Sequence, residues 1–332
     1  MSPGFASRRV LITAISLYFA LAYSGAGADE VSARAKDTNL GVALSPAHIP
    51  FQTGGDIDRF FEQAAQIGAH VTWIIEWQSM PPSLQFRVIE EMTRRHGLRF
   101  YLYLSPIALT GGRRDPAIPS AIGGSSFGAP AVRSAFTKQA MELAGLRPDL
   151  LGLATEVNFL AANPDEFEAF VTLARDTYAA IKRQNPDQTV TISFQWDVMA
   201  AHAQFGLLAK FAKAVDVYSF TTYPDAFGSS PALPAPEYYL AVRKILPTER
   251  IGFAEIGWSS AVPSSEDQQA EFYGSIPRLF GGLGADFLTL ALMHDVPIFT
   301  GSLARLNFVG IRTLDDKPKP AWHVVLDLPK LH

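Results

Sequence analysis

Two hydrophobic rhythms alternate along the chain. Short runs dominated by β-branched, aromatic and leucine residues fall at 40–44, 71–77, 99–104, 150–156, 189–194, 216–221, 250–255 and 287–292, and each reads as a buried strand. Between them, apolar residues recur every three to four positions. Ile57, Phe60, Phe61 and Ala64 share one face of such a stretch, and Phe167, Phe170, Val171, Ala174 and Ile181 share one face of another. The second of these helices has a legible start: Asn163 can cap, Pro164 suits the first helical position, and Glu166 completes a capping-box spacing. Asn185-Pro186 marks its end, because proline disfavours helix at the residue before it.

Eight strands alternating with helices predict a parallel sheet with crossover helices. An α/β fold closed as a single (β/α)8 TIM barrel accommodates them in one domain over residues 29–332. A doubly wound open sheet is the alternative, but no Gly-rich phosphate loop follows the first strand, where Gly41 stands alone. The stretch 106–130 is rich in Gly, Pro and Ser. It reads either as a surface excursion or as a loop covering substrate, since it follows a strand on the face where barrel active sites are built.

Residues 1–28 have another pattern. Arg8-Arg9 precede an apolar run over 10–23, and small residues end at Ala26-Gly27-Ala28, the form of a secretory signal peptide with its cleavage site. Ser7-Arg8-Arg9-Val10-Leu11 also has the form of a twin-arginine signal. The expectation is a secreted or periplasmic protein with no stable membrane span once the leader is gone, the run being shorter than the roughly 20 residues that cross a bilayer.

Composition narrows the chemistry. Among 332 residues, 28 Lys and Arg face 32 Asp and Glu, and no basic block suggests a nucleic-acid surface. The absence of Cys excludes disulfides, thiolate metal sites and Cys nucleophiles. The seven His are scattered, with no H-x-H on the first strand, so neither a metal nor another cofactor is expected.

In a barrel the informative polar residues lie at the C-terminal ends of strands, because strand interiors fill the core. Those ends offer Glu76, Glu156, Asp197, Asp225, Glu255, His294 and Asp295. Glu156 brings the first charge to the run 150–159, and Glu255 brings the first charge to the run 251–258. Two carboxylates facing one cleft are what glycosidic cleavage requires, one protonating the leaving oxygen and the other attacking the oxocarbenium-like centre. Trp77, Trp196, Tyr223 and Trp258 fall at or just past strand ends, where rings could stack on sugar faces, whereas Trp73 lies deeper and reads as core.

The ordered motifs resemble a large clan of retaining (β/α)8 glycoside hydrolases that includes cellulases, mannanases, β-1,3-glucanases and endo-β-1,4-galactanases. Glu156, in A-T-E-V-N-F, matches that clan's acid/base at the fourth strand, and Glu255, in F-A-E-I-G-W-S, matches its nucleophile at the seventh. Asp216-Val217-Tyr218 leading to Thr222-Tyr223-Pro224 is similar to its sixth strand, whose Tyr hydrogen-bonds the nucleophile. The tail from Leu314 to Trp322 resembles its closing D-G-x-P-K-P-A-W, and the likeness runs over roughly residues 38–326. The resemblance implies a double displacement on a β-linked oligo- or polysaccharide, with Tyr223 holding Glu255, Trp77, Trp196 and Trp258 as stacking subsites, and Asn158 beside the acid/base in support.

Three positions depart from that pattern. Thr155 stands where the clan has an Asn that binds the sugar 2-hydroxyl. The second strand ends in Glu76 and Trp77, without the usual Arg. The eighth offers Met293, His294 and Asp295 where a Trp is expected, and His294 reads as oriented toward a carboxylate, with Glu76 as the partner. These departures motivate the alternative of a non-catalytic carbohydrate-binding protein on a degenerate barrel; either way the expected partner is a carbohydrate.

Overall fold

The computed structural model describes residues 39–108, 115–228 and 232–329, so the expected leader lies outside the described residues. Eight strands, β1 (Leu40–Ala43), β2 (His70–Glu76), β3 (Arg99–Ser105), β4 (Leu150–Gly152), β5 (Val190–Gln195), β6 (Val217–Thr222), β7 (Ile251–Ile256) and β8 (Leu288–Leu290), close into a barrel in chain order. Every pairing is parallel, β8 returning to β1. The helices are α1 (Gly54–Ile67), α2 (Ser83–Arg95), α3 (Pro130–Ala144), α4 (Pro164–Gln184), α5 (Trp196–Ala201), α6 (Pro224–Phe227), α7 (Pro236–Ile245), α8 (Glu266–Gly274), α9 (Ile276–Phe280) and α10 (Pro320–Leu326).

Strand alternation sorts the core into two layers. Val71, Trp73 and Ile75 of β2 face outward into the helix-packed cluster, with Phe60, Phe61, Phe167 and Phe170 from the predicted helix faces. Tyr101, Tyr103, Leu150, Val217, Ala254 and Phe287 form a separate cluster inside the barrel. Rings cross this lumen because glycine faces them: a Cβ on Gly152 would lie 2.0 Å from the Tyr103 ring, and one on Gly252 would lie 2.3 Å from that of Phe287.

Two local expectations change. Asn163 does cap α4, accepting from the Glu166 amide at 3.4 Å. The Glu166 carboxylate, however, does not close a capping box; it accepts from the Phe127 amide at 2.9 Å, because the segment around Phe127 folds down onto α4 and buries that ring against Phe170. The 106–130 stretch is therefore packed onto the outer layer where described, with Ile107 bridging to Pro116. A capping box occurs instead at α1, between Thr53 and Asp56. Strand β4 ends at Gly152 rather than at 156, since the chain turns out of the ladder to reach Glu156 in a left-handed conformation.

The closing tail locks the barrel seam. Asp316 accepts from Gln63 and His294 at 2.9 Å each, from Arg312 at 2.7 Å and from Arg59 at 3.2 Å, which holds its carboxyl well below the usual range. Lys319 donates to Asp295 at 2.7 Å and to Ser260 at 3.0 Å, and Arg312 lies over the Trp322 ring. The tail that resembles the clan's closing motif thus ties α1, β8 and the end of β7 together.

Candidate functional site

The two embedded glutamates are presented by different backbone devices. Glu156 follows β4 with φ 53° and ψ 41°, a left-handed conformation that costs a non-glycine residue roughly 1 kcal/mol or more. Its amide donates to Ser193 at 3.0 Å, which holds that turn against β5. Its side chain is buried, and Thr221 donates to it at 2.9 Å.

Glu255 depends on a bulge. Ile251 and Phe253 face the helices and Ala254 faces the lumen, so strict alternation would send Glu255 outward. Between Phe253 and Ile256, however, β7 carries one more residue than either neighbour: Phe220 pairs with Phe253 and Thr221 with Glu255, while on the other edge Leu288 pairs with Phe253 and Leu290 with Ile256. A bulge re-aims a side chain. Glu255 meets the Tyr223 hydroxyl, which donates to its carboxylate, and Ile256 returns to the outer layer.

Tyr223 links the two acids. Burial first, and then the charges of Glu255 and Glu156, push its phenol well above the usual value, so it stays protonated and donates. Its ring lies against Gly257, where a Cβ would come within 2.4 Å. That contact gives the E-I-G-W segment a physical reason for its glycine. The Tyr223 amide in turn donates to Asp197 at 2.7 Å.

The remaining predicted residues do not gather there as expected. Trp77, Trp196 and Trp258 are almost fully buried and cannot stack on a ligand. Trp77 continues the outward alternation of Val71, Trp73 and Ile75 and packs on Phe136. Trp196 continues that of Ile192 and Phe194 and sits among Phe205, Phe220 and Tyr238. Trp258 follows Ile256 outward, stacks on Phe272, and donates to Ser264 at 2.7 Å. Tyr223 alone of the four rings has the inward parity, shared with Val217, Ser219 and Thr221.

Other side chains serve the scaffold. Thr155 donates to Ser105 at 2.9 Å, tying the β4 end to β3. Asn158 accepts from the Gln195 amide at 2.8 Å and donates to Gln204 at 3.1 Å, bracing the turn after Glu156 against β5. Glu76 ends β2 in register with Ser105 and accepts from Gln78 at 2.9 Å. His294 does not orient Glu76. Its ring nitrogens contact the Ser45 carbonyl at 2.8 Å and Asp316 at 2.9 Å, because the tail delivers a carboxylate to the β8 end. Both partners only accept, so a neutral ring donates to one of them at a time, and burial, which pulls its pKa down, disfavours the charged form that would serve both.

Sequence reading named neither Thr221 nor the support role of Asp197. The signal for Thr221 was the two-residue alternation with Tyr223. Asp197 shows only as a strand-end acid, since three of its four donors come from distant positions.

Among solved structures the chain is similar to a GH5_18 protein from Bifidobacterium longum subsp. infantis, at TM-score 0.70 and 15% identity over 89% of this chain and 80% of that one. This barrel shares its fold with solved glycoside hydrolases. A GH5_18 variant from Streptomyces cattleya, solved in complex with Manβ1-4GlcNAc, gives TM-score 0.71 and 16% identity over 89% of this chain and 83% of that one. A family 39 glycoside hydrolase from the gut symbiont Bacteroides cellulosilyticus WH2 gives 0.59 and 17% over 88% of this chain, which spans 64% of that longer protein. Identities this low make the likeness one of fold. No protein-family model matches the sequence, and no curated protein does either.

Proposed function

We propose that the chain is an exported glycoside hydrolase that cleaves a β-linked oligo- or polysaccharide with retention of anomeric configuration. One observation carries the reading. Strand β6 and the residue that follows it supply a donor to each glutamate from positions two residues apart, Thr221 to Glu156 and Tyr223 to Glu255. Side chains two apart on a strand share a face, so the carboxylates converge on one side of the barrel mouth. Glu255, held by the protonated Tyr223, attacks the anomeric carbon; Glu156 protonates the leaving oxygen and then activates the water that releases the sugar.

Export rests on the leader pattern at 1–28. Among the described residues no helix is long and apolar enough to cross a membrane. Thr155, engaged with Ser105, favours the second reading, a barrel that binds carbohydrate without hydrolysing it.

Screening the mature protein against a panel of β-linked polysaccharides decides between them. Hydrolysis that falls by about a hundredfold or more in Glu156→Gln, and that disappears in Glu255→Gln, supports the enzyme. Binding without turnover in the wild type supports the binding module.

A further inference from the structure

We propose that Asp197 is a positioning residue that sets Tyr223 on Glu255, acting through the Tyr223 backbone and not by touching substrate. The inference rests on the hydrolase reading above.

Asp197 is the second residue of α5 and is buried beneath the barrel mouth. Four neutral donors converge on its two oxygens. Tyr238 at 2.7 Å and Thr222 at 3.1 Å donate to Oδ1; the Tyr223 amide at 2.7 Å and Gln195 at 2.8 Å donate to Oδ2. These groups come from the end of β5, the end of β6 and α7. Thr222 gives its only proton to Asp197, so in its 2.9 Å contact with Tyr239 the phenol is the donor.

Four donors match the lone pairs of a carboxylate, so the cage is built for the ionised form, although burial pushes the pKa above its usual value. An unpaired carboxylate buried for packing alone would be costly. Here its geometry fixes the residue that follows β6. The Tyr223 amide is tied to Asp197, its ring is pressed on Gly257, and its hydroxyl reaches Glu255, so two anchors leave the phenol one direction to point.

The competing account is electrostatic, and it has the opposite sign. Removing a nearby negative charge eases ionisation of Glu255 and moves the acidic limb of the kcat/KM profile to lower pH. Loosening Tyr223 withdraws a donor from the ionised nucleophile and moves that limb to higher pH. Tyr223 and Tyr103 face Glu255, Tyr223 also faces Glu156, and Tyr223, Tyr238, Tyr239 and Asp225 face Asp197. All except the mutated one are common to each variant and its parent.

The test is a double-mutant cycle on the pH profile, using the substrate found in the panel and with thermal unfolding as the control for folding. Asp197→Asn should raise the acidic limb by about one pH unit and lower kcat more than it changes KM. On a Tyr223→Phe background the same substitution should add no upward shift. Tyr238→Phe, which keeps the carboxylate but removes a hydroxyl that orients it, should act in the same direction by a smaller amount and carries the test if Asp197→Asn does not fold. An active wild type whose limb is unmoved or lowered by these substitutions, or whose shifts add to that of Tyr223→Phe, overturns the inference alone. A wild type with no turnover overturns the hydrolase reading, and the inference with it.

Discussion

Thr221 donates to Glu156 at 2.9 Å from the position of β6 that is in register with Glu255. A single residue thus contacts one glutamate through its hydroxyl and is paired with the other through its backbone. Any movement of β6 against β7 would disturb both carboxylates. Thr221→Val keeps the shape and removes the donor. It should lower kcat/KM about fivefold to tenfold on substrates with a sugar leaving group, and much less on an activated aryl glycoside, where protonation of the leaving group matters little. Equal losses on both substrates would detach Thr221 from the acid/base role.

Gly257→Ala tests the contact that seats Tyr223. A Cβ 2.4 Å from the ring forces the ring aside, and with it the hydroxyl on Glu255. The expected outcome is a fall in kcat of roughly tenfold to a hundredfold, beside an overpacking cost of about 1–3 kcal/mol in denaturant unfolding. Retained kcat with reduced stability would confine the glycine to packing.

The buried indoles give a prediction of the opposite kind. Trp77→Ala should cost about 3–5 kcal/mol of stability, through loss of packing on Phe136, and Trp77→Phe less. For the folded Trp77→Phe, KM should match the wild type, because the ring faces the helices. A raised KM at unchanged stability would place Trp77 in a sugar subsite.

His70 makes stability depend on pH. It lies in the lumen, stacked on Tyr101 and in contact with Thr289 at 2.9 Å, and burial lowers its pKa well below 6.5. The unfolded chain therefore takes up a proton that the folded chain refuses. This contribution is fully present above about pH 6.5 and is lost as pH falls from there toward the folded-state pKa, at about 1.4 kcal/mol per pH unit. Asp225 and Asp295, both pushed up to about 6 by burial, act in the opposite sense in part of the same range. The comparison is therefore with His70→Gln, which should lose less stability than the wild type between pH 6.5 and 5 in urea unfolding. Parallel curves would remove His70 from the linkage.

The strands, the barrel and the pairing of Tyr223 with Glu255 were legible because each depends on local alternation or on a motif in chain order. Alternation could also have separated the rings. Trp77 shares the parity of Trp73 and Ile75, and Trp196 that of Phe194, so both continue outward-facing rows. What no local pattern carries is the extra residue in β7, because a bulge is defined only by the register of both neighbouring strands. Glu255 would have been placed among the helices by strict alternation. The pairing of His294 with Asp316, and that of Glu166 with Phe127, joins segments whose approach is set by how the tail and the segment around Phe127 pack, which pairwise spacing does not encode.

The most direct test traps the reaction on the nucleophile. The wild-type protein is quenched during turnover of a 2-deoxy-2-fluoro β-glycoside of the sugar found in the panel, and its peptides are weighed by mass spectrometry. A single glycosyl adduct on the peptide containing Glu255, absent in Glu255→Gln, is the predicted result. Hydrolysis of the natural substrate with an adduct on another residue, or with inversion of the product anomer, would contradict it.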